Sequence, residues 1–241
     1  MNGVVVIDKP QGKTSHDVVL SLRRILQIKK IGHAGTLDPH ATGVLVLCIG
    51  PATKKIKFLV NQEKAYEATL QLGVVTDTYD ITGRVLEQHD RFEIRPEQFE
   101  AACRGFVGEV MQIPPMFSAT KVQGQRLYAL ARRGITVERL PKQVFIRCID
   151  VSEDINAKQE VKIFVRCSKG TYIRTLAHDL GQLLKCGACL KELRRTEVGL
   201  FSLGDALTLE AFRQLYMDQR LDQYMQKTEE KLHRITHENL L

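Results

Sequence analysis

The 241-residue sequence has no apolar stretch near membrane-spanning length, so a spanning helix is not expected. Its opening run, Val4-Val5-Val6-Ile7, is too short and wrongly flanked for a signal peptide. We therefore expect a cytoplasmic protein. There is no P-loop and no glycine-rich dinucleotide fingerprint, which argues against nucleotide-driven or hydride-transfer chemistry. Internal repeats and low-complexity linkers are missing as well. Of six cysteines only Cys186 and Cys189 form a CxxC pair. A zinc site needs two further ligands at matching spacing, and none follows. These two read as reduced thiols near a helix end, and Cys48, Cys148 and Cys167 as small core residues. No metal and no cofactor is expected.

What is present is an uneven charge. The net charge is +7. Residues 1–60 carry 9 Lys/Arg against 3 Asp/Glu, and residues 121–204 carry 16 against 8. Between them, residues 61–120 carry 5 against 10, and residues 205–241 carry 5 against 7. Two basic blocks flanking an acidic one fit a positive surface and a phosphate-rich partner.

The most informative stretch runs from Gly32 to Gly43 and encloses one carboxylate, Asp38. Glycines admit positive φ and close approach of a ligand. Pro39 biases Asp38 toward extended backbone. The apolar run Val44 to Ile49 reads as a buried strand. Spacing alone also fits a turn whose Asp bonds its own backbone.

The remaining pattern alternates strand and helix. Val4 to Ile7 is a short buried strand, and Lys9-Pro10-Gln11-Gly12 a turn. Ser15 reads as a helix N-cap with Asp17 favourably placed behind it. Val18, Val19, Leu22, Ile25 and Leu26 share one helical face. Thr53 to Val60 reads as a short helix, and Ala65 to Leu72 as a half-buried strand with Tyr66 on its apolar face. A helix starts at Pro96, and a basic helix spans Gln125 to Arg133. Val144 to Val151 and Val161 to Cys167 read as strands, Tyr172 to Lys185 as an amphipathic helix, and Leu190 to Val198 as a last strand. From Thr208 onward the pattern is polar helix. A cation at the start of a helix, Arg174, opposes the helix dipole and needs a partner such as Asp38.

Several motifs in order resemble the TruB-type tRNA pseudouridine synthases. They are Asp8-Lys9-Pro10-Gln11-Gly12, Gly32 to Gly43, Lys64-Ala65-Tyr66-Glu67-Ala68, and Gly73 to Gly83. Ser168-Lys169-Gly170-Thr171-Tyr172-Ile173-Arg174 and Leu193-Arg194-Arg195-Thr196 complete the set. The resemblance covers roughly the first 200 residues and implies an α+β fold with a mixed, largely antiparallel sheet, flanking helices and a central cleft. It implies a catalytic domain over 1–204, with an RNA-gripping insert near 112–135. Residues 205–241 would be a short helical extension standing where relatives carry a PUA domain.

The resemblance implies isomerisation of uridine 55 in the T-loop of tRNA to pseudouridine. Asp38 would be the nucleophile, Arg174 its ion-pair partner, and Tyr66 a stacking and proton-accepting phenol. His33 would fill the space left by a flipped base. Tyr172 and Leu193 would line the uridine pocket, and Lys9 would support the loop electrostatically. The partner is tRNA through its T-arm, with no membrane and no obligate protein partner expected. The alternatives are a tRNA-folding chaperone with reduced turnover, and a glycoside-cleaving or phosphate-handling enzyme using Asp38 and Asp77.

Overall fold

The computed structural model describes residues 1–238. In chain order it forms β1 (Gly3–Lys9), α1 (Ser15–Leu26), β2 (Ile31–His33), β3 (Thr42–Ile49), α2 (Ile56–Val60) and β4 (Lys64–Leu72). A 3-10 segment, Gly50–Lys55, leads into α2. Next come β5 (Val74–Thr76), β6 (Val85–Gln88), α3 (Pro96–Gly105), β7 (Gly108–Gln112), β8 (Lys121–Val122), β9 (Gln125–Arg126) and α4 (Leu127–Ala131). Then follow β10 (Lys142–Glu153), β11 (Glu160–Cys167), α5 (Ile173–Leu183), β12 (Ala188–Val198), β13 (Phe201–Ser202), α6 (Leu209–Met217) and α7 (Leu221–Glu238).

Two compact units result, one of residues 1–66 with the chain from Leu193 on, the other Glu67–Glu192. Strands β4 and β12 pass from one unit into the other. The sheet is mixed: β12 runs parallel to β3, whereas β1, β2 and β3 pair antiparallel, as do β7, β10 and β11.

In the first unit the strand order is β1–β3–β12, with β2 added to β3 and β13 to β12. Both faces of β1 and β3 are buried, which explains their unbroken apolar runs. Val5, Ile7, Leu45 and Leu47 meet Val18, Leu22, Phe212 and Met225 on one face. Val4, Val6, Val44 and Val46 meet Leu59, Phe201, Leu232 and Ile235 on the other.

β1 ends the strand order, so its outer backbone edge needs partners. The chain beyond Asp205 supplies them. Leu207 N donates to Val6 O at 3.0 Å, and Asp8 N donates to Leu207 O at 2.9 Å. Val6 N donates to the Tyr224 hydroxyl at 3.0 Å, and that hydroxyl donates to Asp205 O at 2.7 Å. Thr228 donates to Val4 O at 2.6 Å. Burial holds the Tyr224 phenol protonated, raising its pKa to about 12. The expected single polar helix is thus two helices, separated at Asp218–Arg220; residues 239–241 lie outside the described residues.

In the second unit the order is β12–β4–β11–β10–β7. Its core includes Leu70, Leu72, Phe99, Val144, Ile146, Ile163, Val165, Leu176 and Leu180, all buried. β4 was expected to be half-buried, yet Ala65 and Thr69 are buried along with Tyr66, Ala68, Leu70 and Leu72. The basic helix expected over Gln125 to Arg133 is shorter. A hairpin, β8–β9, precedes it, and its turn residues Gln123 and Gly124 take φ of 50° and 81°. Two positive φ values are what a tight two-residue hairpin requires. Among the described residues no helix is long and apolar enough to cross a membrane.

Replacing Tyr224 with Phe leaves Val6 N buried without its acceptor. We expect a stability loss of about 1–3 kcal/mol, read from the urea denaturation midpoint. An unchanged midpoint means that edge bond contributes nothing.

Candidate active site

Three of the sequence motifs converge within the first unit. Helix α1 begins beside the Asp38 loop, and its capping box is made by Thr14 with Asp17. Ser15, expected as the N-cap, is instead the first helical residue. Its hydroxyl donates to Leu37 O at 3.1 Å and accepts from Leu37 N at 2.8 Å. That exchange fixes the residue before Asp38. The residue after it is fixed too: Gly12 N donates to Pro39 O at 2.8 Å, and Lys9 Nζ donates to the same oxygen at 3.2 Å. Asp38 O accepts from Ala41 N at 3.1 Å, closing the turn. The carboxylate-bearing residue is itself half-buried.

Lys9 is fully buried, and its ammonium also donates to Lys13 O at 2.6 Å and Pro10 O at 3.0 Å. Burial lowers its pKa to about 8; the negative charge of Asp38 opposes that fall, and Arg195 adds to it. Asp38 thus sits in the field of a buried lysine held by backbone carbonyls.

Arg195 is the residue that sequence reasoning did not single out. It is 1% exposed. Its Nε donates to Val44 O at 2.8 Å and its Nη2 to Gly35 O at 3.1 Å. Burial lowers its pKa, and the nearby Tyr66 phenol opposes that fall. One side chain therefore joins the Asp38 loop to the strand that follows it. The doublet Arg194-Arg195 gave no sign of which arginine turns inward, because strand alternation sends one each way. Arg194 pairs instead with Asp8 at 2.8 Å. Gly43 makes the close approach possible. It has φ of 100°, and a Cβ there would lie 2.2 Å from Arg195 O.

His33 lies on β2, half-buried, and its Nδ1 has no hydrogen-bond partner among the described residues. Burial and then the positive charges of Arg195 and His16 lower its pKa, favouring the neutral imidazole. Leu193, half-buried on β12, accepts from the Thr42 hydroxyl at 3.5 Å.

The second unit holds Arg174 and Tyr172. Arg174 is 5% exposed. Its guanidinium donates to Thr78 O at 3.0 Å and Phe117 O at 2.8 Å, and lies 3.6 Å from the Asp80 carboxylate. Asp80 accepts from Thr78 Oγ1, Thr82 N and Thr82 Oγ1 at 2.9, 3.0 and 2.5 Å. The cation at the start of α5 thus has a carboxylate partner, Asp80, that the sequence reading had not named. Tyr172 caps α5. Its backbone is gripped by the buried Gln112 amide, through bonds of 2.9 and 3.2 Å, and its hydroxyl meets Thr120 at 3.0 Å. Asp77, a candidate for paired-carboxylate chemistry, is occupied in closing the β5–β6 hairpin, accepting from Arg84 N at 2.9 Å. Among the described residues no three His, Cys, Asp or Glu side chains are grouped to hold a metal.

The family model for the TruB family pseudouridylate synthase (N terminal domain) matches residues 23–173, and that for the tRNA pseudouridylate synthase B C-terminal domain matches residues 174–233. The tRNA pseudouridine synthase B of Clostridium tetani is 49% identical over 210 residues, covering 87% of this chain and 72% of that protein. That of Geotalea uraniireducens is 49% identical over 220 residues, covering 91% and 70%. Among solved structures, a chain of a Cbf5-Nop10-Gar1 complex superposes with a TM-score of 0.73 at 30% identity, over 94% of this chain and 59% of the matched one.

Two expectations follow from this geometry. Gly43→Ala should destabilise the protein by more than about 2 kcal/mol, since both φ and the Arg195 backbone oppose a side chain; an unaltered melting curve would contradict it. Lys9 should leave a pH signature. Its folded pKa, about 8, lies below the ordinary value of 10.5. Between those values the unfolded chain binds more protons, so its contribution to stability rises with pH across that window. Denaturation at several pH values should find that positive slope in the wild type and not in Lys9→Met.

Proposed function

The chain belongs to the TruB family of pseudouridylate synthases, and on that premise we propose that it isomerises uridine 55 in the T-loop of tRNA to pseudouridine. The N1–C1′ bond is cleaved, the base turns, and C5 joins C1′. The same atoms enter and leave, so the chemistry requires no redox cofactor. The observation that carries the reading is the fixing of the loop on both sides of Asp38, by Ser15 and by Lys9 with Gly12, beside the buried cation of Lys9.

In this reading Asp38 is the nucleophile, acting as a carboxylate. A nearby buried ammonium favours that ionised form. Tyr66 stacks on the uracil, and its phenol takes the C5 proton. Arg174 is proposed as the ion-pair partner of Asp38 on the motif resemblance alone. Tyr172 and Leu193 line the uridine pocket. Uridine 55 must leave its stack, at a cost of about a few kcal/mol. His33, neutral and with an open nitrogen, is proposed to occupy the vacated space. The tRNA is held by its T-arm, with the basic segment 112–135 gripping it. The protein works in the cytoplasm, where its substrate is.

The test is tritium release from transcripts labelled at uracil C5, with wild type and Asp38→Asn side by side and one transcript carrying cytidine at position 55. Release by wild type only, and only from the uridine 55 transcript, is expected. Asp38→Asn should lose at least about three orders of magnitude in rate while still binding tRNA. Tight binding without any release by wild type would replace the synthase with a tRNA-folding chaperone.

A further inference from the structure

Tyr172 opens α5 without the means to cap it. A helix start leaves backbone donors unpaired, and a short polar side chain at the cap, or a Glu or Gln three residues on, normally answers them. Tyr172 makes no side-chain cap bond. The residue three positions on is Thr175, whose hydroxyl donates instead to Ile113 O at 3.5 Å. The missing partner comes from 60 residues away. Gln112, the last residue of β7 and 1% exposed, accepts from Tyr172 N at 2.9 Å and donates to Tyr172 O at 3.2 Å. One side-chain amide thus exchanges both bonds with one backbone residue, as a neighbouring antiparallel strand would. A side-chain amide suits this place because it carries a donor and an acceptor side by side.

The far end of Tyr172 is held as well. Its hydroxyl meets Thr120 Oγ1 at 3.0 Å, and Lys142 Nζ donates to the same threonine oxygen at 3.3 Å. Between the two holds, Phe117 O accepts from Arg174 at 2.8 Å. Residues 112–120 therefore run along the first turn of α5 and engage Tyr172, Arg174 and Thr175. A side chain lining a site serves the reaction only while it keeps its place, and a shift of about 1 Å can cost about a hundredfold in rate.

We propose that Gln112 and Thr120 are positioning residues that hold Tyr172 for the reaction, one through its backbone and the other through its phenol. They govern the rate on bound RNA and not the affinity for it. The inference rests on the reading of Tyr172 as a lining residue of the uridine pocket. The buried Gln112 is closed to direct contact with RNA, so its effect on the rate passes through the residue it holds.

The first measurement uses the unaltered protein. Amide hydrogen exchange followed by 15N NMR should find Tyr172 N–H protected at least about a hundredfold over an unstructured chain. The second compares Gln112→Met, Thr120→Val and Tyr172→Ala with wild type in single-turnover tritium release from the uridine 55 transcript at saturating enzyme. Filter binding measures tRNA affinity separately. Gln112→Met should lower the rate at least about tenfold and Thr120→Val at least about threefold, while affinity stays within about twofold. Added to Tyr172→Ala, Gln112→Met should lower the rate less than about twofold further, because residues acting as a unit are not additive. Circular dichroism checks that each variant is folded. If Gln112→Met does not fold, the exchange measurement and Thr120→Val, which loses only a hydroxyl, still decide the matter.

An unprotected Tyr172 amide overturns the proposal without any variant. An unchanged rate in Thr120→Val overturns it too. So does a Gln112→Met protein whose urea midpoint falls while its rate on bound tRNA stays that of wild type, the result a merely structural clasp would give. A rate loss explained by lost affinity assigns the two residues to RNA binding and overturns it equally. The reading beneath fails by other signs, and the inference falls with it. A wild-type rate in Tyr172→Ala takes Tyr172 out of the pocket, and no release by wild type removes the reaction itself.

Discussion

A fully buried arginine sets the constraint that much of the first unit obeys. The Arg195 guanidinium needs acceptors, and the backbone has been bent to present them. Gly35 O and Val44 O lie on either side of the Asp38 loop, so satisfying one cation fixes both ends of that loop. The parallel pairing of β12 with β3 at Arg194–Thr42 and Arg195–Gly43 brings the arginine to this position. It works only because Gly43 offers no Cβ to the Arg195 backbone. Lys9 repeats the arrangement on a smaller scale, with an ammonium surrounded by carbonyls of two turns. Two cations sharing one interior would repel each other. The depressed Lys9 pKa records that repulsion, though burial is the larger cause.

The second unit solves a related problem differently. Arg174 is also buried, but it sits beside a carboxylate, and Asp80 is in turn saturated by Thr78 and Thr82. A carboxylate held by three donors is fixed in orientation. The contrast is between a buried arginine satisfied by backbone carbonyls and one that also faces a carboxylate.

How much of this was legible in the sequence depended on whether the signal was local. The apolar runs of β1 and β3, the start of α3 at Pro96 and the amphipathic face of α5 were readable because the residues that decide them are neighbours in the chain. Asp38 stood out through the glycines around it. Ser15 was misread because an N-cap is the local role of a serine at a helix start, whereas its actual partner, Leu37, is 22 residues away. Arg195 was quoted within a motif but not recognised as buried, because the acceptors that make burial tolerable are backbone carbonyls with no side-chain signature. Asp80 was likewise hidden among threonines whose hydroxyls point to it only after the turn has formed. Tyr224 and Thr228 read as part of a polar helix, yet their hydroxyls meet the edge of β1.

That last feature bears on how the protein is made. Among the described strands β1 is synthesised before the others, and its outer edge is completed by residues from Leu207 to Thr228. The two partners are separated by almost the whole chain, so the contact has a very high sequence separation and forms late. Residues 67–192, by contrast, hold most of their partners within their own span and are synthesised in between. The order of birth along the chain is therefore not the order of completion. An unfinished β1 edge, on a strand apolar on both faces, is open to strand-to-strand association with other chains until the residues that cover it have been made.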